Sequence, residues 1–142
     1  TDATLAPTGE IAPVAGGRCD FRAARTLRDA DPAAEGFDVN LALDGGDGPA
    51  ATLTAPNGLG LRLWTDRPGL QLFDAKPFAG LRGGHGGALY GPFAGLALEA
   101  QDFPDAPNHT RFPSIMRDPD RPYRQRLKLE IGPAAEDGGG TT

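Results

Sequence analysis

Two carboxylates stand where strand alternation sets them apart from apolar neighbours. Glu99 shares one side of residues 95–101 with Gln101 and the small Ala97, while Leu96 and Leu98 take the other side. Asp38 lies on the polar side of residues 37–43, opposite Phe37, Val39, Leu41 and Leu43. A carboxylate near neutral pH takes a proton from a bound ligand, which is general-base chemistry. On composition alone each of these groups is a solvated surface residue, because most Asp and Glu are exposed. Two features favour more. Ala97 leaves space above Glu99 that a ligand could fill. The segment after it, Asp102-Phe103-Pro104-Asp105-Ala106-Pro107-Asn108, is stiff and opens a connection longer than two strands need.

Other chemistry-bearing residues are few. Cys19 is the one cysteine, so no internal disulfide forms, and it is expected as a small core or surface residue. His85 sits among Gly83, Gly84, Gly86 and Gly87 and is expected to face solvent. His109 lies in the proline-rich loop and is expected as a loop residue; Asn108-His109-Thr110 also fits a glycosylation sequon.

Strands must position these groups. The spacing predicts strands over 37–43, 51–55, 59–64, 70–73, 95–101 and 126–131. Gln71 and Phe73 share a face of the fourth. In the last, Leu127, Leu129 and Ile131 are expected inward and Arg126, Lys128 and Glu130 outward. Pro56-Asn57-Gly58 and Asp66-Arg67-Pro68-Gly69 read as turns. Residues 80–87 form a glycine-rich loop and residues 102–122 a long proline-set one. Short extended pieces are expected near 11–14. Residues 22–28 suit about one helical turn, with no clear cap. Short strands at this spacing with almost no helix indicate an all-β chain, an antiparallel sandwich or barrel in one domain over 1–133, with a disordered tail over 134–142.

The chain has 142 residues, enough for a real core without metal or disulfide staples. Its net charge of −5, without a basic cluster, gives no footprint for nucleic acid. No apolar run reaches the roughly 20 residues that span a bilayer. No leader is visible at the amino terminus, which a mature secreted protein would also lack; a cytoplasmic location is expected, with the periplasm left open.

Residues 95–108, Gly-Leu-Ala-Leu-Glu-Ala-Gln-Asp-Phe-Pro-Asp-Ala-Pro-Asn, resemble the signature of the aldose 1-epimerase (galactose mutarotase) family. That signature is a strand reading L-E-T-Q followed by N/D-aromatic-P-D-A-x-N, and Phe112-Pro113-Ser114 continues it. Pro68-Gly69-Leu70-Gln71-Leu72-Phe73 resembles the family's P-G-L/I-Q-F/L-Y. Gly36-Phe37-Asp38-Val39-Asn40 resembles G-Y-D-H-N/C, and Leu5-Ala6-Pro7-Thr8-Gly9-Glu10 resembles L-I-P-T-G-E. The matches keep family order and cover nearly the whole chain. The resemblance implies part of a galactose mutarotase-like β-supersandwich. It implies that Glu99 is the general base, that Asp38 hydrogen-bonds sugar hydroxyls and that Gln71 contacts substrate, with Gln101 as a flanking candidate. The implied reaction interconverts α and β anomers of a free hexose, galactose or glucose, with no metal or cofactor. Ala100 stands where the family has threonine, and Val39 where it has histidine.

The family's acid is a histidine in an N-H-x-Y-F-N-L segment that nothing here matches. The resemblance therefore implies about half of the enzyme: a fragment, a split-gene product or a truncated relative. An amino-terminal half, or a second copy pairing at an open sheet edge, is the expected partner. Two alternatives stand beside the enzyme, a carbohydrate-binding β-sandwich without turnover and a structural β domain in which Glu99 is ordinary surface.

Overall fold

The computed structural model describes residue 1 and residues 6–134. Leu5 of the first matching segment and residues 135–142 of the expected tail lie outside the described residues. Six strands are formed: β1 (Asp38–Ala42), β2 (Ala51–Thr54), β3 (Leu59–Thr65), β4 (Gly69–Phe73), β5 (Ala97–Gln101) and β6 (Leu127–Pro133). They build two antiparallel sheets, ordered β1-β4-β5 and β2-β3-β6. All six coincide with predicted strands, with ends shifted by no more than two residues. Ala134, assigned by sequence to the tail, instead donates its N–H to Gly58 O at 2.8 Å and extends the β3–β6 ladder.

The first sheet has a closed apolar face. Val39, Leu72 and Leu98 lie in one cross-strand row, and Leu41, Leu70 and Ala100 in the next. Leu70 and Leu72 are 2% and 4% exposed. Phe37 and Ala30 pack with Leu72, and Cys19, Phe21, Leu27 and Leu96 close around them. Phe21 meets Phe37 edge-on at 5.7 Å. Burying each large side chain here stabilises the fold by about 1.5–3 kcal/mol. Burial also pushes the Cys19 thiol up, against the pull of Arg18, so Cys19 behaves as a packing residue.

Ala30 belongs to a single helical turn, α1 (Leu27–Ala30), which starts later than the sequence suggested. Thr26 supplies the cap that was not evident there, its Oγ1 accepting the Asp29 N–H at 3.0 Å. Asp74 is buried at the other end of the β1–β4 pair and accepts the N–H groups of Phe37 and Lys76 at 2.9 and 3.1 Å.

The β2–β3 turn follows from its residues. Asn57 Oδ1 accepts the Leu59 N–H at 3.1 Å, and Gly58 takes the left-handed conformation at φ +79°. The second sheet corrects one expectation. Leu127, Leu129 and Ile131 are not inward; they are 52%, 49% and 64% exposed. They share a face with Leu59, Leu61 and Leu63, opposite which Trp64 carries the charged residues. Of this apolar row Leu63 is sealed, at 2%, whereas Leu59 at the start of the same central strand is 49% exposed. Alternation sorted the faces of β6 correctly, but it does not say which face something covers.

Candidate functional site

The opposite face of the first sheet is a three-by-three grid set by register. Its central row is Asn40, Gln71 and Glu99. On one side lies the row Asp38, Phe73 and Ala97; on the other, Ala42, Gly69 and Gln101. Directly opposed residues in antiparallel strands point to the same side with Cβ atoms roughly 4.5–5.5 Å apart. All four residues singled out from sequence, Asp38, Gln71, Glu99 and Gln101, thus stand on one face. Gln71 Nε2 donates to Asp38 Oδ1 at 2.7 Å. That bond fixes the Gln71 amide and leaves its carbonyl oxygen, and the second oxygen of Asp38, free to accept. Glu99 is exposed, and no hydrogen bond or ion pair joins its carboxylate to another described residue.

Asn40 was passed over by sequence reasoning. It alternates with Asp38 along β1, which was visible, but its place beside Gln71 and Glu99 depends on a register that no single strand reveals. Its Nδ2 is buried and unpartnered. Its Oδ1 leans over Gly69, where a Cβ would lie 2.7 Å from that oxygen and 3.0 Å from the Phe103 ring. Gly69 is required by that close approach.

Phe103 heads an aromatic wall beside the grid. It meets Phe112 edge-on at 5.0 Å, and Phe112 meets His109 at 5.0 Å. The loop folds back through Asp105 in a left-handed conformation (φ +58°), which buries Ala106 and starts a 3-10 turn, Ala106–Asn108. His109 is a clasp. Its Nε2 lies 3.0 Å from Pro7 O and 3.3 Å from Asp105 Oδ2, and Gly9 packs so closely on its ring that a Cβ there would meet Nδ1 at 2.6 Å. His85 is exposed, and its backbone N–H donates to Tyr90 Oη at 3.1 Å.

Most of the grid, with Phe103 and Phe112, lines one part of a hollow of about 1470 Å³ whose other walls come from residues 7–22 and 43–50. Ligand pockets generally measure about 300–1,000 Å³, so this is an open trough. Neither histidine lines it. Among the described residues no group of three or more His, Cys, Asp or Glu is arranged to hold a metal ion. No helix of the described residues is long and apolar enough to cross a membrane.

An antiparallel all-β frame in two sheets, one of them packing one face and offering carboxylates and carboxamides on the other, defines the class as an all-β sandwich. Comparison with known proteins narrows it. The aldose 1-epimerase family matches residues 1–130, and the chain belongs to that family. Human galactose mutarotase is 37% identical over 127 residues, covering 86% of this chain and 37% of that protein. Maltose epimerase of Levilactobacillus brevis is 29% identical over 91% of this chain and 38% of its own length. A crystal structure of an aldose epimerase homologue from C. elegans superposes with a TM-score of 0.80 at 27% identity, covering 94% of this chain and 42% of that one. The chain thus spans roughly two-fifths of the length of these relatives.

Proposed function

We propose that this chain supplies the base and part of the sugar-binding floor of an aldose 1-epimerase acting on a free hexose such as galactose or glucose. Glu99 takes the proton of the anomeric hydroxyl while an acid protonates the ring oxygen. The ring opens, the aldehyde turns about the C1–C2 bond, and closure on its other face regenerates the ring with base and acid exchanged. Each proton transfer contributes roughly 10²–10⁴-fold to the rate, and the step needs no metal or cofactor to balance. Asp38 and Gln71 accept from sugar hydroxyls, and Gln101 flanks them.

One observation carries this reading: Gln71 lies opposite Glu99 in the β4–β5 ladder and donates to Asp38 across the β1–β4 ladder. A base, a fixed amide and a second carboxylate therefore share one small area. The acid comes from elsewhere, because His85 and His109 both lie off the trough. A further segment of the full-length protein, or a second copy, supplies it and closes the trough. The test is polarimetry of pure α-galactose with the full natural protein. Glu99→Gln abolishes the catalysed change while leaving the circular dichroism spectrum unaltered. Retention of the full rate refutes the assignment.

The open trough favours one other reading, a sheet that binds sugar without turnover. Titration calorimetry separates the two. Saturable heat with galactose or glucose and no acceleration of anomer exchange supports binding alone.

A further inference from the structure

The two sheets meet where β3 runs into β4, and a partly buried cation sits at the junction. Arg67 is 11% exposed. Its Nε donates to Asp66 at 2.9 Å, its Nη1 to both oxygens of Asp102 at 3.2 and 3.3 Å, and its Nη2 to Arg124 O at 2.9 Å. The Tyr123 ring covers it at 5.4 Å. Asp66 in turn accepts the Arg126 N–H at 3.0 Å. The turn before Gln71, the exit of the strand bearing Glu99, and the approach to β6 thus converge on one guanidinium.

All three nitrogens of that group are engaged in the junction; of its five N–H groups one on Nη2 is left over, so nearly all of its hydrogen-bonding capacity is spent on protein. Its position still bears on the site. β5 is an edge strand, held to β4 on one side only. At its last rung, Gln101 faces Gly69, which has no side chain to grip it. Asp102 directly follows that rung, and Phe103 follows Asp102. The Arg67–Asp102 pair therefore fixes the point from which both Glu99 and Phe103 are hung. Among the described residues the outer side of β5 has one further side-chain tie, Gln125 Nε2 donating to Ala100 O at 2.7 Å.

We propose that Arg67 is a positioning residue for the candidate site, holding β5 so that Glu99 stands over the anomeric hydroxyl beside Gln71. The inference rests on the epimerase reading above. It explains why the fork of arginine is used at a point where a turn alone would join the strands. A lysine has one ammonium and cannot reach three segments in fixed directions.

Displacement of a catalytic group by about 1 Å costs on the order of 10²-fold in rate. A positioning role therefore predicts a loss in kcat with little change in KM, which a purely structural role does not produce in folded protein. The experiment measures steady-state anomerisation of galactose by the full natural protein and by Arg67→Gln, Arg67→Lys, Asp102→Asn and Arg67→Gln/Asp102→Asn. Circular dichroism and thermal melts identify the temperature at which each is folded. Arg67→Gln is expected to lower kcat about 10- to 100-fold with KM within about threefold. Arg67→Lys recovers part of that loss, and Asp102→Asn shows the same split more weakly. The double variant falls no further than Arg67→Gln, because Asp102 acts through Arg67. If Arg67→Gln does not fold, Arg67→Lys and Asp102→Asn carry the same test. Folded variants with wild-type kcat, a loss confined to KM, or additive losses in the double variant overturn the proposal. Glu99→Gln runs alongside. An inactive wild type, or an active Glu99→Gln, overturns the epimerase reading and this inference with it. A dead Glu99→Gln beside a fully active Arg67→Gln overturns this inference alone.

Discussion

Glu99 in the first sheet and Glu130 in the second sit in comparable settings. Each is on an outer strand, on the polar side of an alternating run, opposite a polar residue of the central strand. Their neighbours separate them. Glu130 is held by Lys128 at 2.6 Å and Arg62 at 3.0 Å, and both cations also approach the Trp64 ring, at 4.3 and 5.9 Å. The Lys128 contact, aided by the charge of Arg62, keeps the Glu130 carboxyl below the usual carboxylate range. Glu99 has a carboxamide opposite it and, among the described residues, no cation paired with it. A carboxylate already satisfied by its own sheet has little left to offer a ligand. The apolar faces differ in the reverse sense: closed by Phe37 and α1 in the first sheet, open along β6 in the second.

The largest expected effect tests the polar faces. In the full natural protein, Glu99→Gln lowers the catalysed anomer exchange by at least about 10²-fold, the lower range for a lost general base. Glu130→Gln leaves it within about twofold, as suits a surface ion pair on the other sheet. Polarimetry of both variants under one set of conditions reads the contrast. Equal losses would show that the pairing of Glu130 does not distinguish the two.

The apolar faces give the next effect. Leu72→Ala in the closed face is expected to destabilise the 142-residue chain by about 2–5 kcal/mol, with a cavity left behind. Ile131→Ala in the open face is expected to change stability by no more than about 0.5 kcal/mol. Urea denaturation followed by circular dichroism measures both. A cost for Ile131 that rivals Leu72 would show that the β6 face is covered in solution.

These contrasts mark what was legible in the sequence. Alternation and turn residues gave all six strands, and alternation sorted the faces of β1, β4, β5 and β6, because it depends only on neighbours along the chain. It could not tell that the leucines of β6 are open, since covering a face is a matter of what packs across it. Asp38, Gln71, Glu99 and Gln101 were picked out one strand at a time. Their assembly on a single face needed the β1-β4-β5 order, and so did the inclusion of Asn40. Arg67 read only as part of a turn, because its partners Asp102 and Arg124 lie far along the chain. Thr26 was missed as a cap because a helix of one turn has no apolar stripe to announce it.

Gly69→Ala probes the floor of the grid with a smaller effect. The added Cβ would meet Asn40 Oδ1 at 2.7 Å and the Phe103 ring at 3.0 Å, and neither belongs to a freely moving chain end. The cost is expected at about 1–3 kcal/mol, typical of an overpacked site. The same substitution at Gly132, where a Cβ meets nothing within 4 Å, is expected to be nearly neutral. A neutral Gly69→Ala would show that Asn40 and Phe103 yield, and that the grid is looser than its register implies.

Acid gives the smallest effect, and its sign follows from the ion pair. The folded pKa of Glu130 lies below its unfolded value, which is near 4.3. Its contribution is therefore fully present above about pH 4.3 and is lost as pH falls through the lower folded value. Asp66, held down first by the Arg126 N–H and then by Arg67, follows the same course from about pH 3.9. Thermal melts between neutral pH and about pH 3 should therefore show a flatter acid limb for Glu130→Gln than for wild type, and likewise for Asp66→Asn. The differences between wild type and variant should shrink as pH falls, since acid removes in the wild type what the substitution has already removed. A gap that stays constant to the lowest pH would mean that these carboxylates titrate alike in folded and unfolded chains. Glu130 would then be no more committed to its sheet than Glu99 is to its own.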